Sequence, residues 1–503
     1  FQAEDGIRDR SPSRGLGDVY KRQLLLVLIL MPSLLQAQTN KNVLLITIDD
    51  LNCNLGTYGH PLVKSPHIDA LASKAIRFDR AYCQAPQCTP SRSSFLTGLY
   101  PEQIGVIGHG PHFRDLIPKV KTLPQLFKEN GYFSARVGKI FHYGVPSDIG
   151  TDGLDDPVSW DLVVNPRGID KDYEDTMHNI DPGDPNIGGI LTWLSIDSED
   201  EEHTDGIATI EAIKLLKENN PKKTEKPFFL GVGYYRPHVP FITPTKYFDL
   251  YPKDKITLVE NQIEDRNDIP LPALADRPNQ LTLSEDKQRE IIQAYYASIT
   301  YIDGQVGKLL DELDRLDLTD STIILLLSDH GYHMGRHGLW QKSDLFEDGV
   351  RAPLIIAAPG VSKPGTSTSS LIEFVDLYPT VVELVGLIKP DYLSGKSLVP
   401  ILKDPEQTIR NSAYTMAPAF SKVYPDLHYR NIIGYTIRTD RFRYTQWGPD
   451  GVLGEELYDY DNDPGELTNL TRNRTFESTR YKLRRQLHVR MAEAQVPVYE
   501  LED

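Results

Sequence analysis

The sequence predicts an α/β fold with a large, mostly parallel central sheet flanked by helices. Three continuously apolar segments carry this prediction, because strands that are buried on both faces lack polar alternation. They span residues 42–50 (NVLLITIDD), 227–241 (PFFLGVGYYRPHVPF) and 321–331 (STIILLLSDHG). Helix-like segments separate them, and alternation of strands and helices is typical of a parallel sheet.

The remaining elements follow from periodicity and turn residues. Helical periodicity is found over residues 67–78, 123–132, 205–219 and 287–316. Residues 145–205 are rich in Asp, Gly and Pro, which predicts long surface loops over the site. Residues 430–448 and 454–470 predict antiparallel strands, with a turn at Asn-Asp-Pro-Gly, and residues 478–495 predict a closing helix.

The length of 503 residues predicts one large domain and one smaller domain. We expect a catalytic domain over residues 38–400 and a C-terminal subdomain over residues 401–503. Residues 1–23 begin with Phe, have no hydrophobic periodicity and resemble translated adaptor sequence, so we expect them to be non-native.

Residues 24–37 (LLLVLILMPSLLQA) predict the apolar region and cleavage site of a signal peptide. The apolar run is too short to span a bilayer, and the alternative is a buried N-terminal helix. We therefore expect a mature chain that is exported to the periplasm or the extracellular space and has no membrane span.

Acidic residues outnumber basic residues by 71 to 54, and the net charge is −17. A nucleic-acid partner is not expected, because phosphate neutralisation requires a basic face. An anionic substrate would need local basic contacts. Three cysteines, Cys53, Cys83 and Cys88, cannot all pair within the chain, and a bridge between the first two stays open. The sequence makes no prediction of the oligomeric state.

Polar residues follow each of the three predicted strands. Asp49 and Asp50 end the first, Asp329 and His330 end the third, and Tyr-Arg-Pro-His at residues 235–238 follows the second. Because ligands gather at the carboxyl ends of parallel strands, we expect one site there. Carboxylates suit Ca²⁺ or Mg²⁺, although histidine is an unusual ligand for such a cation. Helix capping or a solvated turn is the alternative for one acidic pair.

Cys88 stands before Thr-Pro-Ser-Arg and a short helical pattern. Pro90 suits the first turn of a helix, whose N-terminus stabilises an anion or a thiolate. Arg92, one turn further on, adds a fixed positive fork for an oxyanion. The alternative is a buried, inert cysteine.

These residues resemble the Cys-x-Pro-x-Arg signature of the type I sulfatases. The resemblance extends over nearly the whole chain after Thr39 and includes GYYRPHVPF, SDHGYHMGRHGLWQKSDLFEDGVRAPLI and ELYDYDNDPGE. Gly-Lys-Ile-Phe-His and Tyr-Arg-Pro-His-Val-Pro-Phe resemble the iduronate-2-sulfatase-like branch of exported bacterial sulfatases. The resemblance implies an alkaline-phosphatase-like fold with a C-terminal subdomain formed by an antiparallel sheet and a closing helix.

In this family a maturation enzyme oxidises the signature cysteine to Cα-formylglycine. The resemblance implies Ca²⁺ on Asp49, Asp50, Asp329, His330 and the modified Cys88. Many sulfatases have Asn at the position of His330, whereas this branch has His. Two departures concern specificity: Tyr332 stands where the human-type branch has Trp, and residues 109–114 do not align with the substrate-contacting loop.

The resemblance also implies the catalytic roles. Arg92 and Lys139 would hold the formylglycine hydrate, with His142 beside them as a base for release of sulfate. His238 and Lys342 would contact the sulfate ester. Protonation of the leaving oxygen by His238 should contribute roughly 10²–10⁴-fold. Proximity to the site makes further side chains candidate substrate contacts: Arg236, His333, Arg336 and His337.

We therefore expect an exported enzyme that removes sulfate from a sulfated oligosaccharide or polysaccharide, with 2-O-sulfated uronate units as the implied substrate. Its second partner would be the formylglycine-generating maturation enzyme. Two alternatives stay open at this point. One is a phosphonate or phosphodiester hydrolase on the same scaffold, and the other is a non-catalytic binder of sulfated glycans in which Cys88 stays a thiol.

Overall fold

The computed structural model describes residues 41–260, 263–420 and 432–498. The expected adaptor-derived segment and signal peptide lie outside the described residues. Within the described part, eight strands form the central sheet. In spatial order they are Thr366–Thr368, Ile76–Phe78, Leu354–Ala357, Thr322–Ser328, Asn42–Ile48, Phe228–Tyr234, Phe133–Gly138 and Leu162–Val164.

The pairing within this sheet is mostly parallel. The central strand Asn42–Ile48 runs parallel to both of its neighbours, Thr322–Ser328 and Phe228–Tyr234. Leu354–Ala357 is antiparallel to the strand on each side. The three predicted strands are thus adjacent and central, as their continuous apolar character indicates.

Helices cover both faces of the sheet. Alternate residues of the strand Asn42–Ile48 point to opposite sides: Val43 belongs to one core cluster and Leu44 to the other. The described helices are Pro66–Ala72, Cys88–Thr97, Pro101–Ile104, Phe113–Leu116, Leu123–Glu129, Thr204–Glu218, Pro221–Thr224, Thr245–Phe248, Glu285–Arg315, Glu347–Val350, Leu377–Val385, Val399–Lys403 and Glu477–Ala494. The longest, Glu285–Arg315, begins after Ser284, whose side chain accepts a hydrogen bond from the backbone N–H of Lys287.

Smaller sheets complete the fold. The C-terminal antiparallel sheet orders Ala413–Pro418, Ile433–Arg438, Phe442–Trp447 and Gly454–Asp459, and the helix Glu477–Ala494 packs against it. The other short strands pair as His178–Asn179, Thr192–Ile196 and Phe241–Pro244; Ala81–Tyr82 with Ile372–Glu373; and His333–Met334 with Trp340–Gln341. Because Trp447 and Tyr458 belong to a core cluster of the central sheet, that core extends into the C-terminal sheet. The division at residue 400 stays a prediction.

Two expectations for secondary structure are corrected. The helix that was predicted over residues 67–78 ends at Ala72, and Ile76–Phe78 is instead a strand of the central sheet, paired on both sides. Residues 145–205 are not loops throughout, because Leu162–Val164 is an edge strand and Thr192–Ile196 lies in a small sheet. Short strands of this kind lack the length that makes periodicity readable.

The cysteines Cys53, Cys83 and Cys88 are all free, so the open question of a bridge between the first two is answered. Among the described residues, none of the helices combines the length and apolar character that crossing a membrane requires.

Candidate active site

The site begins where the central strands end. Ile48 lies beside Ser328 on one side and Tyr234 on the other, so the residues that follow these three strands emerge together. Asp50 has a left-handed backbone with a φ of 62°. Its backbone N–H donates to Oδ1 of Asp329 at 3.3 Å. The predicted convergence of the strand ends therefore exists in the structure.

Cys88 is the first residue of the helix Cys88–Thr97 and is 1 % exposed. Its Sγ lies 3.0 Å from Nζ of Lys342 and 3.4 Å from Nε2 of His330. The helix N-terminus adds positive potential at the same point. Lys342, His330 and the helix N-terminus therefore supply groups beside residue 88 that stabilise negative charge.

Arg92 is fully buried one turn along this helix and connects the strand ends. Its Nη2 donates to Oδ1 of Asp49 at 3.0 Å, and its Nε donates to Oδ2 of Asp329 at 2.9 Å. Its Nη1 donates to the backbone carbonyls of Lys139 at 2.8 Å and Ile140 at 3.0 Å. The planar fork of arginine suits this set of acceptors, which a lysine could not match.

Lys139 follows the strand Phe133–Gly138 and is fully buried. Its Nζ donates to Oδ2 of Asp49 at 2.5 Å. Burial raises the pKa of Asp49, but Lys139 and Arg92 outweigh burial and hold this pKa well below its usual range. Asp49 is thus an ionised carboxylate at physiological pH.

His142 lies three residues after Lys139. Burial, together with the charge of Lys139, lowers the pKa of His142 to about 3, so the ring is neutral. Its Nδ1 is buried and has no hydrogen-bond partner among the described residues. A neutral imidazole in this position can accept a proton.

His238 and Lys342 face the same carboxylate. Nδ1 of His238 is 2.6 Å from the carbonyl of Val239, which leaves Nε2 directed to the site, 3.8 Å from Oδ2 of Asp50. Burial and the charge of Lys342 lower the pKa of His238 well below its usual value. The ammonium of Lys342 donates to Oδ1 of Asp50. Burial opposes the charge of Lys342, but Asp50 and Cys88 raise its pKa well above the usual value.

The carboxylates offer a place for a divalent cation. Burial raises the pKa of Asp50 to about 7, although Lys342 opposes this rise. Oδ2 of Asp50 is buried and has no hydrogen-bond partner in the described part of the chain. Ligand atoms of Asp49, Asp50, Cys88 and His238 lie within 4.8 Å of one another, and so do those of Cys88, Asp329 and His330. An unpartnered buried carboxylate oxygen in such a cluster fits a hard cation such as Ca²⁺.

The four side chains that were expected to contact substrate through proximity are each paired with a carboxylate of the protein. Arg236 is 3.1 Å from Asp170, His333 is 2.9 Å from Asp344, Arg336 is 2.9 Å from Asp348 and His337 is 2.7 Å from Asp265. In each of the four side chains, at least one nitrogen is therefore engaged by a carboxylate of the protein. Their contact with substrate stays a prediction.

Sequence reasoning assigned no role to His109, which the structure brings beside the site. Nδ1 of His109 lies 2.9 Å from Oγ1 of Thr89, the residue after Cys88. Its ring centroid is 5.0 Å from that of His142. The signal was a single histidine between two glycines, which does not distinguish a site residue from an ordinary loop.

Comparison with known proteins supplies an independent line of evidence. Residues 41–387 match the family model described as Sulfatase, and residues 335–493 match the C-terminal model of N-sulphoglucosamine sulphohydrolase. The chain is 35 % identical to iduronate 2-sulfatase of Homo sapiens, over 85 % of this chain and 90 % of that protein. It is 32 % identical to a sulfatase of Formosa agariphila, over 87 % of this chain and 84 % of the relative.

The fold is also found among solved structures. A phosphonate monoester hydrolase of Agrobacterium radiobacter superposes with a TM-score of 0.73 at 23 % identity, over 90 % of this chain and 96 % of that chain. Together with the central sheet, its flanking helices and the C-terminal antiparallel sheet, this likeness confirms the predicted fold class.

Proposed function

The chain belongs to the sulfatase family and hydrolyses sulfate esters, and on this premise we propose a formylglycine- and Ca²⁺-dependent enzyme that is exported and acts on sulfated sugars. One observation carries the proposal. Cys88 begins a buried helix with its Sγ against Lys342 and His330, inside the group of Asp49, Asp50 and Asp329. A buried cysteine with only a structural role is expected in apolar surroundings, whereas Cys88 lies among charged side chains.

Two groups would complete the site. Formylglycine at position 88 would supply, as its hydrate, a hydroxyl nucleophile for sulfur that the thiol lacks. Ca²⁺ would be held by Asp49, Asp50, Asp329 and His330 together with residue 88, and would act as a Lewis acid toward the sulfuryl oxygens.

The remaining chemistry belongs to the chain's own side chains. Arg92 keeps Asp49 and Asp329 in place, because it donates to both. Lys139 neutralises Asp49, and Lys342 presents an ammonium to the sulfuryl oxygens beside residue 88. These fixed cations stabilise charge that develops in the transition state without reorganising during the reaction.

Two histidines would move protons. His142 is neutral and has an unpartnered Nδ1, so we assign it the base that accepts a proton during release of sulfate. Nδ1 of His238 is engaged by the carbonyl of Val239, so Nε2 is the atom that would protonate the leaving sugar oxygen. An anionic sulfate ester beside His238 would raise the pKa of its ring and favour this protonated form.

For the substrate we propose a 2-O-sulfated uronate, or a related unit, of an acidic polysaccharide. The support is the 35 % identity to a protein named iduronate 2-sulfatase over most of both chains. We also propose that the protein is exported and that a formylglycine-generating maturation enzyme is its second partner.

The test has two parts. The protein is produced together with a formylglycine-generating enzyme, and the mass of the tryptic peptide of residues 81–92 is measured. We expect conversion of the thiol to the aldehyde, together with sulfate release from 2-O-sulfated uronate oligosaccharides. Cys88→Ala is the control and should release sulfate at least about 1,000-fold more slowly. An unmodified thiol in fully active protein would falsify the formylglycine proposal.

A second assay tests the alternative of phosphonate hydrolysis. The fold likeness to a phosphonate monoester hydrolase is the reason for testing it. Steady-state rates on an aryl sulfate and on an aryl phosphonate are compared at the same pH. A large preference for the phosphonate would contradict the sulfate ester as the principal substrate.

A further inference from the structure

We propose that Arg277 is a positioning residue of this active site, which holds the backbone of residues 340–342 so that the ammonium of Lys342 reaches residue 88. The inference rests on the proposed role of Lys342 in sulfate ester hydrolysis. Along the chain, Arg277 lies outside the motifs described above, in the irregular segment before the helix Glu285–Arg315.

The first support is the geometry of its hydrogen bonds. Arg277 is 6 % exposed. Its Nη1 donates to the carbonyl of Trp340 at 3.1 Å, and its Nη2 donates to the carbonyl of Lys342 at 3.1 Å. One planar guanidinium therefore holds two carbonyls of the segment that carries Lys342, and only arginine has paired donors in this fixed arrangement.

The second support is backbone strain on both sides of Lys342. Gln341 has a φ of 75° and Ser343 has a φ of 90°, although neither is glycine. Such conformations persist only where the surroundings over-determine them. The side chain of Gln280, three residues after Arg277, donates to Oε1 of Gln341 at 3.0 Å. The segment of Arg277 thus binds the carbonyls on both sides of Gln341 and also the Gln341 side chain.

The third support is the charge of Arg277. Among the described residues, no carboxylate lies within ion-pair distance of it, and the neighbouring Asp276 is instead paired with Arg266 at 2.6 Å. The guanidinium carbon lies 4.7 Å from the ring centroid of Phe420. Burial lowers the pKa of Arg277. A buried cation without an ion pair is costly, and the two carbonyl hydrogen bonds, the ring of Phe420 and the charges of nearby Asp344 and Asp50 together offset this cost.

The consequence for the site is direct. Nζ of Lys342 is 3.0 Å from Sγ of Cys88 and also donates to Oδ1 of Asp50. If the two hydrogen bonds from Arg277 are lost, Gln341 and Ser343 can leave their left-handed backbone conformations. The ammonium of Lys342 then moves away from residue 88. A misplacement of about 1 Å in a catalytic group can cost about 100-fold in rate.

The experiment is a double-mutant cycle with Arg277→Met and Lys342→Met, in matured, calcium-loaded enzyme and with sulfate release as the readout. We expect Arg277→Met alone to lower kcat by roughly 10- to 100-fold and to change KM by less than about threefold. In the Lys342→Met background the same change should lower kcat by less than about threefold, because the group that it positions is already absent.

Three further variants sharpen the test. Arg277→Lys keeps the charge but cannot bridge both carbonyls, so it should recover only part of kcat. Gln280→Met removes the support of Gln341 and should lower kcat in the same direction. Arg315→Met, on a side chain that is 62 % exposed at the end of the helix Glu285–Arg315, should leave kcat unchanged.

Full kcat in a folded Arg277→Met protein would overturn the inference. So would an equal loss in both backgrounds, which would mean that Arg277 acts independently of Lys342. A rise in KM alone would assign Arg277 to substrate contact and would also overturn it. If Arg277→Met does not fold, as judged by its thermal unfolding, Arg277→Lys and Gln280→Met are compared in the same two backgrounds. Wild-type protein that releases no sulfate from any substrate would contradict the proposed function itself.

Discussion

Replacing Arg92 with lysine tests whether one guanidinium organises the strand ends. Arg92 is buried, and it donates to Asp49, to Asp329 and to the carbonyls of Lys139 and Ile140, all within 3.0 Å. A lysine ammonium keeps the charge but cannot span acceptors on both sides of a planar fork. At least two charge-assisted hydrogen bonds are lost, which corresponds to about 3–5 kcal/mol of unfolding free energy.

The assay is urea unfolding of the wild type and Arg92→Lys at the same pH, with and without added Ca²⁺, and kcat is measured in parallel. The matched control is Arg289→Lys on the helix Glu285–Arg315. There the guanidinium donates to Glu285 at 3.0 Å, in a more exposed pair whose loss should cost less than about 1 kcal/mol. If Arg92→Lys lies within about 1 kcal/mol of the wild type, Arg92 does not organise the site.

Three further predictions concern the nucleophile, the cation and the C-terminal sheet. Cys88→Ala should lower kcat at least about 1,000-fold because the nucleophile is absent, and sulfate release within tenfold of the wild type would contradict this role. A chelator should lower both activity and melting temperature, and added Ca²⁺ should restore both. At 100 times its dissociation constant, Ca²⁺ should raise the free energy of unfolding by about 2.7 kcal/mol. Asp50→Asn should blunt this response, and a melting temperature that does not depend on Ca²⁺ would refute the cation site. Burial raises the pKa of Glu456 from 4.5 to about 7, so its ionisation destabilises the folded state increasingly between these two pH values and fully above pH 7. Glu456→Gln keeps an acceptor for Nε1 of Trp447, which lies 2.8 Å away in the wild type, and should gain up to about 3 kcal/mol at pH 8 but less than about 1 kcal/mol at pH 5. Equal gains in unfolding free energy at pH 5 and pH 8, measured by chemical unfolding, would contradict the raised pKa of Glu456. The control Glu383→Gln, at an exposed position, should gain stability at neither pH.

The central strands and their edge could be predicted because their signal is local. The residues of the strand Asn42–Ile48 are all buried, and so are those of Thr322–Ser328. A strand that is buried on both faces is mostly apolar along its length, and the acids that follow each of these two runs mark the strand ends. The strand Ile76–Phe78 was mistaken for part of a helix, because three residues carry no period and tertiary pairing decides their conformation.

The chemical class of the site could likewise be expected from residue types. The signature around Cys88 and Arg92, together with the acids at the strand ends, is encoded in short contiguous segments. By contrast, Arg277 is separated by 65 residues from Lys342, whose carbonyl it binds, and no motif surrounds it. Arg236 and His333 lie close to motif residues along the chain, yet in the structure they pair with Asp170 and Asp344.

The sequence by itself determined the parallel α/β class, the strand-end carboxylates and the cysteine at the start of a helix, since each depends on neighbours within a few positions. The tertiary structure alone decided which carboxylate each cation meets. Arg92 forms ion pairs with Asp49 and Asp329. Lys139 pairs with Asp49, and Lys342 pairs with Asp50. These pairings join segments that are distant along the chain, and packing, not local propensity, fixes which of them meet.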